Sequence, residues 1–218
     1  GDGDTVNILK KLLDTFGIPM TVHLVFDNSL SDSPALLNFL QEKIATNTIE
    51  VVFHGLSHRC SENVSKIFVF YHKYQAEYLE DSEFLREKTT KMYLESSTLL
   101  GNNLGICPPC WIALKKNLIF FNSLRPAFIE TMLYISKQQN KYFSSVVSLG
   151  SPGKKELSFL KIIAKNIYYL SLLFKVRRIR VAIHECDLYN PQSMVFFKRV
   201  IASLEKQPFR SVLLKELV

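Results

Sequence analysis

Short apolar runs of strand type that alternate with amphipathic stretches predict an α/β fold, a largely parallel sheet or barrel with helices outside. No repeat, low-complexity tract or linker interrupts the alternation, so residues 1–218 read as a single domain. Two histidine motifs and a Pro-Pro loop fall where a strand hands over to a loop, or inside a loop. In such folds chemistry gathers at those strand ends.

Thr5 to Phe16 reads as the first helix: Val6, Leu9, Leu12 and Leu13 recur at helical spacing, Asp4 or Thr5 caps the start, and Gly17 ends it. Met20 to Phe26 is a strand that exits at Asp27-Asn28. Ser33-Pro34 opens a helix with Leu36, Leu37, Leu40 and Ile44 on one face. Ile49 to Phe53 is a second buried strand, followed directly by His54-Gly55. Asp81 to Leu100 is a long amphipathic helix with Phe84, Leu85, Met92, Leu99 and Leu100 on its core side. Gly101 to Trp111 is a loop dense in Gly, Pro and Asn. A short helix near Ala113 to Phe121 follows, then strands near Phe128 to Ile135 and Phe143 to Leu149. A helix over Lys155 to Phe174, a strand over Ile179 to Ile183, a helix over Gln192 to Glu205 and a short strand near Val212 to Leu214 complete the order.

A chain of 218 residues with 47% hydrophobic and 22% charged residues is long enough for one sizeable core and ordinary in composition for a globular protein. Its net charge of +7 favours anionic or polymeric partners only weakly. The run Lys175-Val176-Arg177-Arg178-Ile179-Arg180 precedes an apolar strand and reads as a solvated strand entry, with phosphate contact as the alternative. We therefore expect no nucleic-acid partner. No apolar run reaches the roughly 18 residues of a spanning helix, and Ile167 to Phe174 is far too short, so no membrane span is expected. The start carries no basic-then-apolar signal. Four cysteines in this length do not make a disulfide scaffold, which points to a reducing, cytoplasmic setting. The opening Gly1-Asp2-Gly3-Asp4 reads as a chain entered in the middle.

In His54-Gly55-Leu56-Ser57-His58 two imidazoles stand four residues apart just past a buried strand. They converge on one cation if the turn continues as helix. Imidazole suits zinc, iron, cobalt and nickel. Gly105-Ile106-Cys107-Pro108-Pro109-Cys110-Trp111 contains a Cys-x-x-Cys pair, which allows a redox or zinc reading. A rigid Pro-Pro loop with two thiols as small fillers is the plainer one. Cys60 and Cys186 are isolated. His184-Glu185-Cys186-Asp187 ends a strand, and a histidine there suits general-acid work with a carboxylate setting its tautomer. His23, inside a strand, and His72, in a polar aromatic stretch, read as structural or exposed.

Taken in order, His54-Gly55-x-x-His58, the loop Gly105 to Trp111 and the closing His184-x-x-Asp187 resemble the NodB-like polysaccharide deacetylases, in particular a divergent branch of that superfamily. The resemblance covers nearly the whole chain, with Thr5 to Phe26 matching the family's first helix and second strand. It implies a distorted, incomplete (β/α) barrel. It also implies hydrolysis of an acetyl group on an N-acetylated sugar or polysaccharide, an amide hydrolysis assisted by a divalent metal. The ion implied is zinc first, with cobalt, nickel or iron as substitutes. Carried over, His54 and His58 are metal ligands, His184 is the acid with Asp187 beside it, the Cys110 N–H is the oxyanion donor, and Pro109 and Trp111 wall the substrate pocket.

This chain departs from the family in two places. The paired aspartates that supply the third ligand and the base lie on a strand before the position matching Thr5, so the first strand reads as missing. Asp2, Asp4 and Asp27 are the nearest acids, and none matches well. The family's arginine in the Pro loop is replaced by Cys107. An inactive deacetylase-like binding protein is the alternative these departures leave, with a Cys107/Cys110 redox or zinc protein behind it.

Overall fold

The computed structural model describes residues 2–57, 77–101, 104–138, 140–149 and 157–217. By its internal contacts the chain divides into two compact units, residues 1–142 with 212–218, and residues 143–211. The fold is mixed α/β, as the alternation predicts.

The first unit holds α1 (Asp2–Phe16), β1 (Met20–Leu24), α2 (Pro34–Ala45), β2 (Ile49–Phe53), α3 (Glu83–Leu99), β3 (Gly105–Ile106), α4 (Lys115–Ser123), β4 (Ile129–Glu130) and β5 (Tyr134–Lys137), with β6 (Asn140–Phe143) at its end. One sheet runs β1-β2-β3-β4-β5-β6. β1 to β4 pair in parallel and β5 turns back antiparallel on β4. Among the described residues this sheet is open, not a closed barrel.

Side chains alternate between the faces of a strand, and that alternation sorts this sheet. Val22, Val51, Phe53, Ile106 and Ile129 enter the main core, with Val6 and Leu9 of α1, Phe39 and Leu40 of α2, Met92 and Tyr93 of α3 and Phe121 of α4. The opposite face carries Val52, Cys107 and Phe128, which form a smaller cluster with Ile135 and Leu214, and Trp111 packs against it. Local signals set the helix ends. Gly17 sits at φ +64 and its N–H donates to the Leu13 carbonyl (2.8 Å), a left-handed stop that glycine adopts without penalty. Pro34 opens α2, and the Ser82 hydroxyl accepts the Leu85 N–H at the start of α3.

The second unit holds β7 (Ser145–Ser148), α5 (Leu157–Leu173), β8 (Ile179–Ala182), a short α6 (Glu185–Leu188) and α7 (Pro191–Glu205). β7 and β8 pair in parallel, Ser145 beside Ile179 through Ser148 beside Ala182, with α5 as the crossover. The Tyr168 hydroxyl on α5 donates to Ser203 on α7 (2.7 Å). Buried Arg180 donates from Nε to the Ser144 hydroxyl (3.0 Å) and from Nη2 to the Ser144 carbonyl (3.1 Å).

Four expectations are corrected. The stretch from Phe128 to Ile135 is two strands, because Thr131 to Leu133 reverse the chain between β4 and β5. Val212 to Leu214 form no strand; a 3-10 turn over Leu214–Leu217 follows instead. The Gly101 to Trp111 loop contains β3, two residues long. Phe84 lies on the exposed side of α3, while Met92, Tyr93 and Leu100 are buried. Among the described residues, no helix is long and apolar enough to cross a membrane.

The C-terminal turn is tied to the sheet by one carboxylate. Buried Glu50 accepts the Leu214 N–H (3.0 Å), the Lys215 N–H (2.9 Å) and the Thr21 hydroxyl (3.0 Å). Burial outweighs these bonds and holds the Glu50 carboxyl above its usual 4.5. The folded protein therefore binds this proton more tightly than the unfolded chain does. Its contribution to stability is full below the unfolded value and is lost as pH rises through the folded one. Urea titrations of wild type and Glu50→Gln should therefore differ in pH profile, wild type losing stability relative to the variant as pH rises above 4.5. Parallel profiles would show that Glu50 does not ionise in a buried site.

Candidate metal centre

The C-terminal ends of β1, β2 and β3 lie side by side, with Leu24 beside Phe53 and Phe53 beside Ile106. The alternation that turns Phe53 and Ile106 into the main core turns His23, His54 and Cys107 to the opposite face. The two imidazole centroids are 5.0 Å apart. One donor atom from each of the three residues lies within 4.8 Å of the other two.

His54 is fixed at both ends. Its backbone N–H donates to the Leu24 carbonyl (2.8 Å), and its ring Nδ1 lies 2.8 Å from the Cys107 carbonyl oxygen. A carbonyl only accepts, so Nδ1 carries the proton, and in the neutral ring Nε2 is then the nitrogen able to ligate a metal. The Cys107 N–H in turn donates to the Phe53 carbonyl (3.0 Å). Each end of the His54–Cys107 contact is therefore anchored to the ladder itself.

The turn after His54 requires glycine twice over. Gly55 sits at φ +86, and a Cβ there would overlap the Glu77 carboxylate and press on Pro109. Glu77, 2% exposed, occupies that space. Its Oε1 accepts the Leu56 N–H (2.6 Å), and its Oε2 accepts the Ser57 N–H (3.0 Å) and hydroxyl (3.1 Å). Asn117 on α4 holds the Glu77 segment by donating to the carbonyls of Tyr78 (2.7 Å) and Glu80 (2.8 Å). Burial, helped by the neighbouring Glu77 charge, keeps the Tyr78 phenol well above its usual range; its hydroxyl lies 2.9 Å from that of Thr89.

Glu130, at the end of β4, is the carboxylate beside His23. Its Oε2 lies 2.9 Å from His23 Nε2, and its Oε1 accepts the Trp111 indole N–H (3.0 Å). Trp111 and Cys110 both have left-handed backbone, φ +59 and +58. Asn47, Arg125 and Lys175 share that conformation but follow helix ends, where it is ordinary, and Gln138 lies in a hairpin turn. Two successive strained residues inside a loop are held only where surrounding structure forces them, a feature that clusters at functional sites.

The donor set fits a divalent cation of zinc type. Two imidazoles and a thiolate are the soft and borderline ligands that zinc takes, at about 2.0–2.1 Å for nitrogen and about 2.3 Å for sulfur. Ligand atoms in such a tetrahedron lie about 3.5 Å apart, so the trio, already within 4.8 Å, closes on an ion with small side-chain shifts.

The expected site residues distribute as follows. His54, Pro109, Cys110 and Trp111 share the mouth of the first unit, and Pro109 is buried against Gly55. His58 lies outside the described residues, as do Cys60 and His72. His184 and Asp187 pair in the second unit at the start of α6: Asp187, 1% exposed, accepts the His184 backbone N–H (2.9 Å), and the ring Nδ1 is 3.8 Å from the same oxygen. Asp4 is exposed on α1, Asp2 lies in the same helix, and Asp27 is exposed beyond β1. Cys107 is buried and its thiol donates to the Pro108 carbonyl (3.6 Å), Cys110 is half-buried and Cys186 exposed.

His23 and Glu130 are the residues the sequence reading passed over. The signal that finds them is register: His23 is one residue from the end of β1, as Phe53 is one before His54. In comparisons with known proteins, no protein-family model, no curated protein and no solved structure matches the chain.

Glu77→Ala leaves the Leu56 and Ser57 amides without their acceptor. We expect about 1–3 kcal/mol of lost stability for each amide that stays dry, read from urea unfolding. A loss below about 0.5 kcal/mol, the level of an ordinary surface substitution, would mean that Glu77 does not hold this turn.

Proposed function

We propose that this protein is a metal-dependent hydrolase whose divalent cation, zinc first, is bound by His23, His54 and Cys107. The observation that supports the reading is the convergence of three donor atoms at the mouth of a parallel sheet, with the His54 ring held through Nδ1 by the Cys107 carbonyl. The substrate class is an acetylated amino sugar. It comes from the resemblance of His54-Gly55-x-x-His58, the Pro108-Pro109 loop and His184-x-x-Asp187 to the deacetylases, and the incomplete deacetylase barrel belongs to the same proposal. The open, mostly parallel sheet is compatible with that barrel.

A bound divalent ion polarises an amide carbonyl and lowers the pKa of the attacking water. The protein's own residues do the rest. The Cys107 carbonyl holds the His54 ring in one orientation. Trp111 pins one oxygen of Glu130, and the other oxygen faces His23. On this reading Glu130 takes the water's proton, in the role for which the family uses an aspartate. The Cys110 N–H is the oxyanion donor on this reading. His184-x-x-Asp187 matches the motif from which the family takes its acid, and that role rests on the resemblance alone.

The test is elemental analysis of protein purified without chelators, followed by acetate release from N-acetylglucosamine oligomers. We expect about one ion per chain, as for a mononuclear site, lost in His54→Ala together with acetate release. His23→Ala and His58→Ala separate the two ligand sets: loss in the first alone supports the trio. A chain that stays metal-free after reconstitution, or His54→Ala that retains its ion, would overturn the proposal.

A further inference from the structure

A helix that packs on a sheet ordinarily turns its large apolar residues inward. The described side chains of α5, from Lys161 on, depart from this. The residues it buries include Ala164, Tyr168 and Ser171, and the two hydroxyls donate to Ser203 and Ser145 (2.7 and 2.8 Å). Its solvent side carries Ile162, Tyr169, Leu170, Leu173 and Phe174, with Leu173 72% and Phe174 73% exposed. Residues 162, 166, 169, 170 and 173 share one helix face, about 17 Å long at 1.5 Å per residue; Asn166 interrupts it, so the apolar patch is Tyr169, Leu170 and Leu173 with Phe174 just past the helix end, and Ile162 two turns before.

The charge around the stripe has one sign. No Asp or Glu occurs between Glu156 and Glu185, while Lys161, Lys165, Lys175, Arg177 and Arg178 fall in that interval. Lys165, Lys175 and Arg177 are exposed, and Lys161 and Arg178 half-buried. Residues 157–211 contain ten Lys and Arg against three Asp and Glu, an excess of seven that equals the net charge of the whole chain. The whole unit, residues 143–211, contains twelve Lys and Arg against four Asp and Glu, and the rest of the chain fifteen against sixteen, so the chain's positive charge is concentrated in the unit that bears the apolar stripe.

We propose that the second unit docks on an anionic lipid surface, with α5 lying in the plane of the interface. Its stripe sinks among the upper acyl chains and its lysines and arginines meet headgroup phosphates. The charge selects this occupant. A second copy of the chain would cover the stripe but bring its own cations against these, whereas anionic lipid satisfies both features at once. A nucleic acid would use the cations and leave Leu173 and Phe174 in water. The helix lies on the membrane and does not cross it, consistent with its length and charge.

Co-sedimentation of the full chain with vesicles tests this, comparing equimolar phosphatidylserine and phosphatidylcholine with phosphatidylcholine alone. We expect binding to the mixed vesicles only, weakened at high salt. In Leu173→Glu/Phe174→Glu the partition should fall on the order of tenfold or more, as loss of two buried apolar side chains implies. Both residues face solvent, so circular dichroism and urea unfolding should be unchanged. The charge reversal Lys165→Glu/Lys175→Glu/Arg177→Glu should abolish binding independently. The proposal is overturned by equal binding to neutral vesicles, by no binding to either, or by full binding in the Leu173→Glu/Phe174→Glu variant. A chain dimer in sedimentation velocity that the same substitutions dissociate would also overturn it, and would give the stripe to a second copy.

Discussion

The parallel register of β1, β2 and β3 is the constraint on which the rest depends. With Leu24 beside Phe53 and Phe53 beside Ile106, the next residue outward or inward on each strand is polar or reactive. A slip of one residue in either pairing would exchange the faces. His23 would then enter a core built of Val22, Val51 and Phe53, and the histidines would no longer meet. Burial of those apolar partners is what holds the imidazoles and the thiol together. The centre is thus a by-product of core packing, refined by local devices: the Cys107 carbonyl on His54, the glycine at 55 and the Glu77 carboxylate beneath the turn.

Strong local patterns were legible in the sequence, and partners distant along the chain were not. Ile49–Phe53 is apolar at four of five positions and is the strand expected. Pro34 and the apolar spacing after it mark α2 correctly. β3 escaped because two residues in a Gly, Pro and Asn-rich loop carry no period; it is a strand only because Phe53 and Phe128 lie on either side. Val212 to Leu214 look like a strand because they are apolar, yet the backbone N–H groups of Leu214 and Lys215 go to the Glu50 side chain instead of a ladder. The site shows the same division. His54 and the Pro-Pro loop were visible as motifs. His23 looked like a strand histidine until register placed it beside His54, and Glu130 has no sequence signal other than its strand.

The two units differ in chemistry as well as in sequence. The first has fifteen Lys and Arg against sixteen Asp and Glu, and its polar residues are drawn inward onto one sheet face: Glu50, Glu130, His23 and His54. The second carries the positive excess and turns Tyr169, Leu170 and Leu173 of α5 outward, with Phe197 and Tyr168 buried. Buried carboxylates are costly unless each finds donors. Glu50, Glu77 and Glu130 all do, from backbone amides, hydroxyls or an indole. Such residues organise a site or a junction at some cost to stability, and the apolar core of Leu40, Ile49, Phe53, Tyr93 and Phe121 bears that cost.

The proposal that Cys107 is a ligand alongside His23 and His54 is most directly tested by adding cobalt(II) to metal-free protein and recording the absorption spectrum. Thiolate ligation predicts a sulfur-to-cobalt charge-transfer band in the near ultraviolet and intense tetrahedral bands in the visible. The charge-transfer band should vanish in Cys107→Ser, and the visible bands should change in His23→Ala. A cobalt spectrum without the charge-transfer band, or one unaltered by Cys107→Ser, would contradict the assignment and move the centre to another set of ligands around His54.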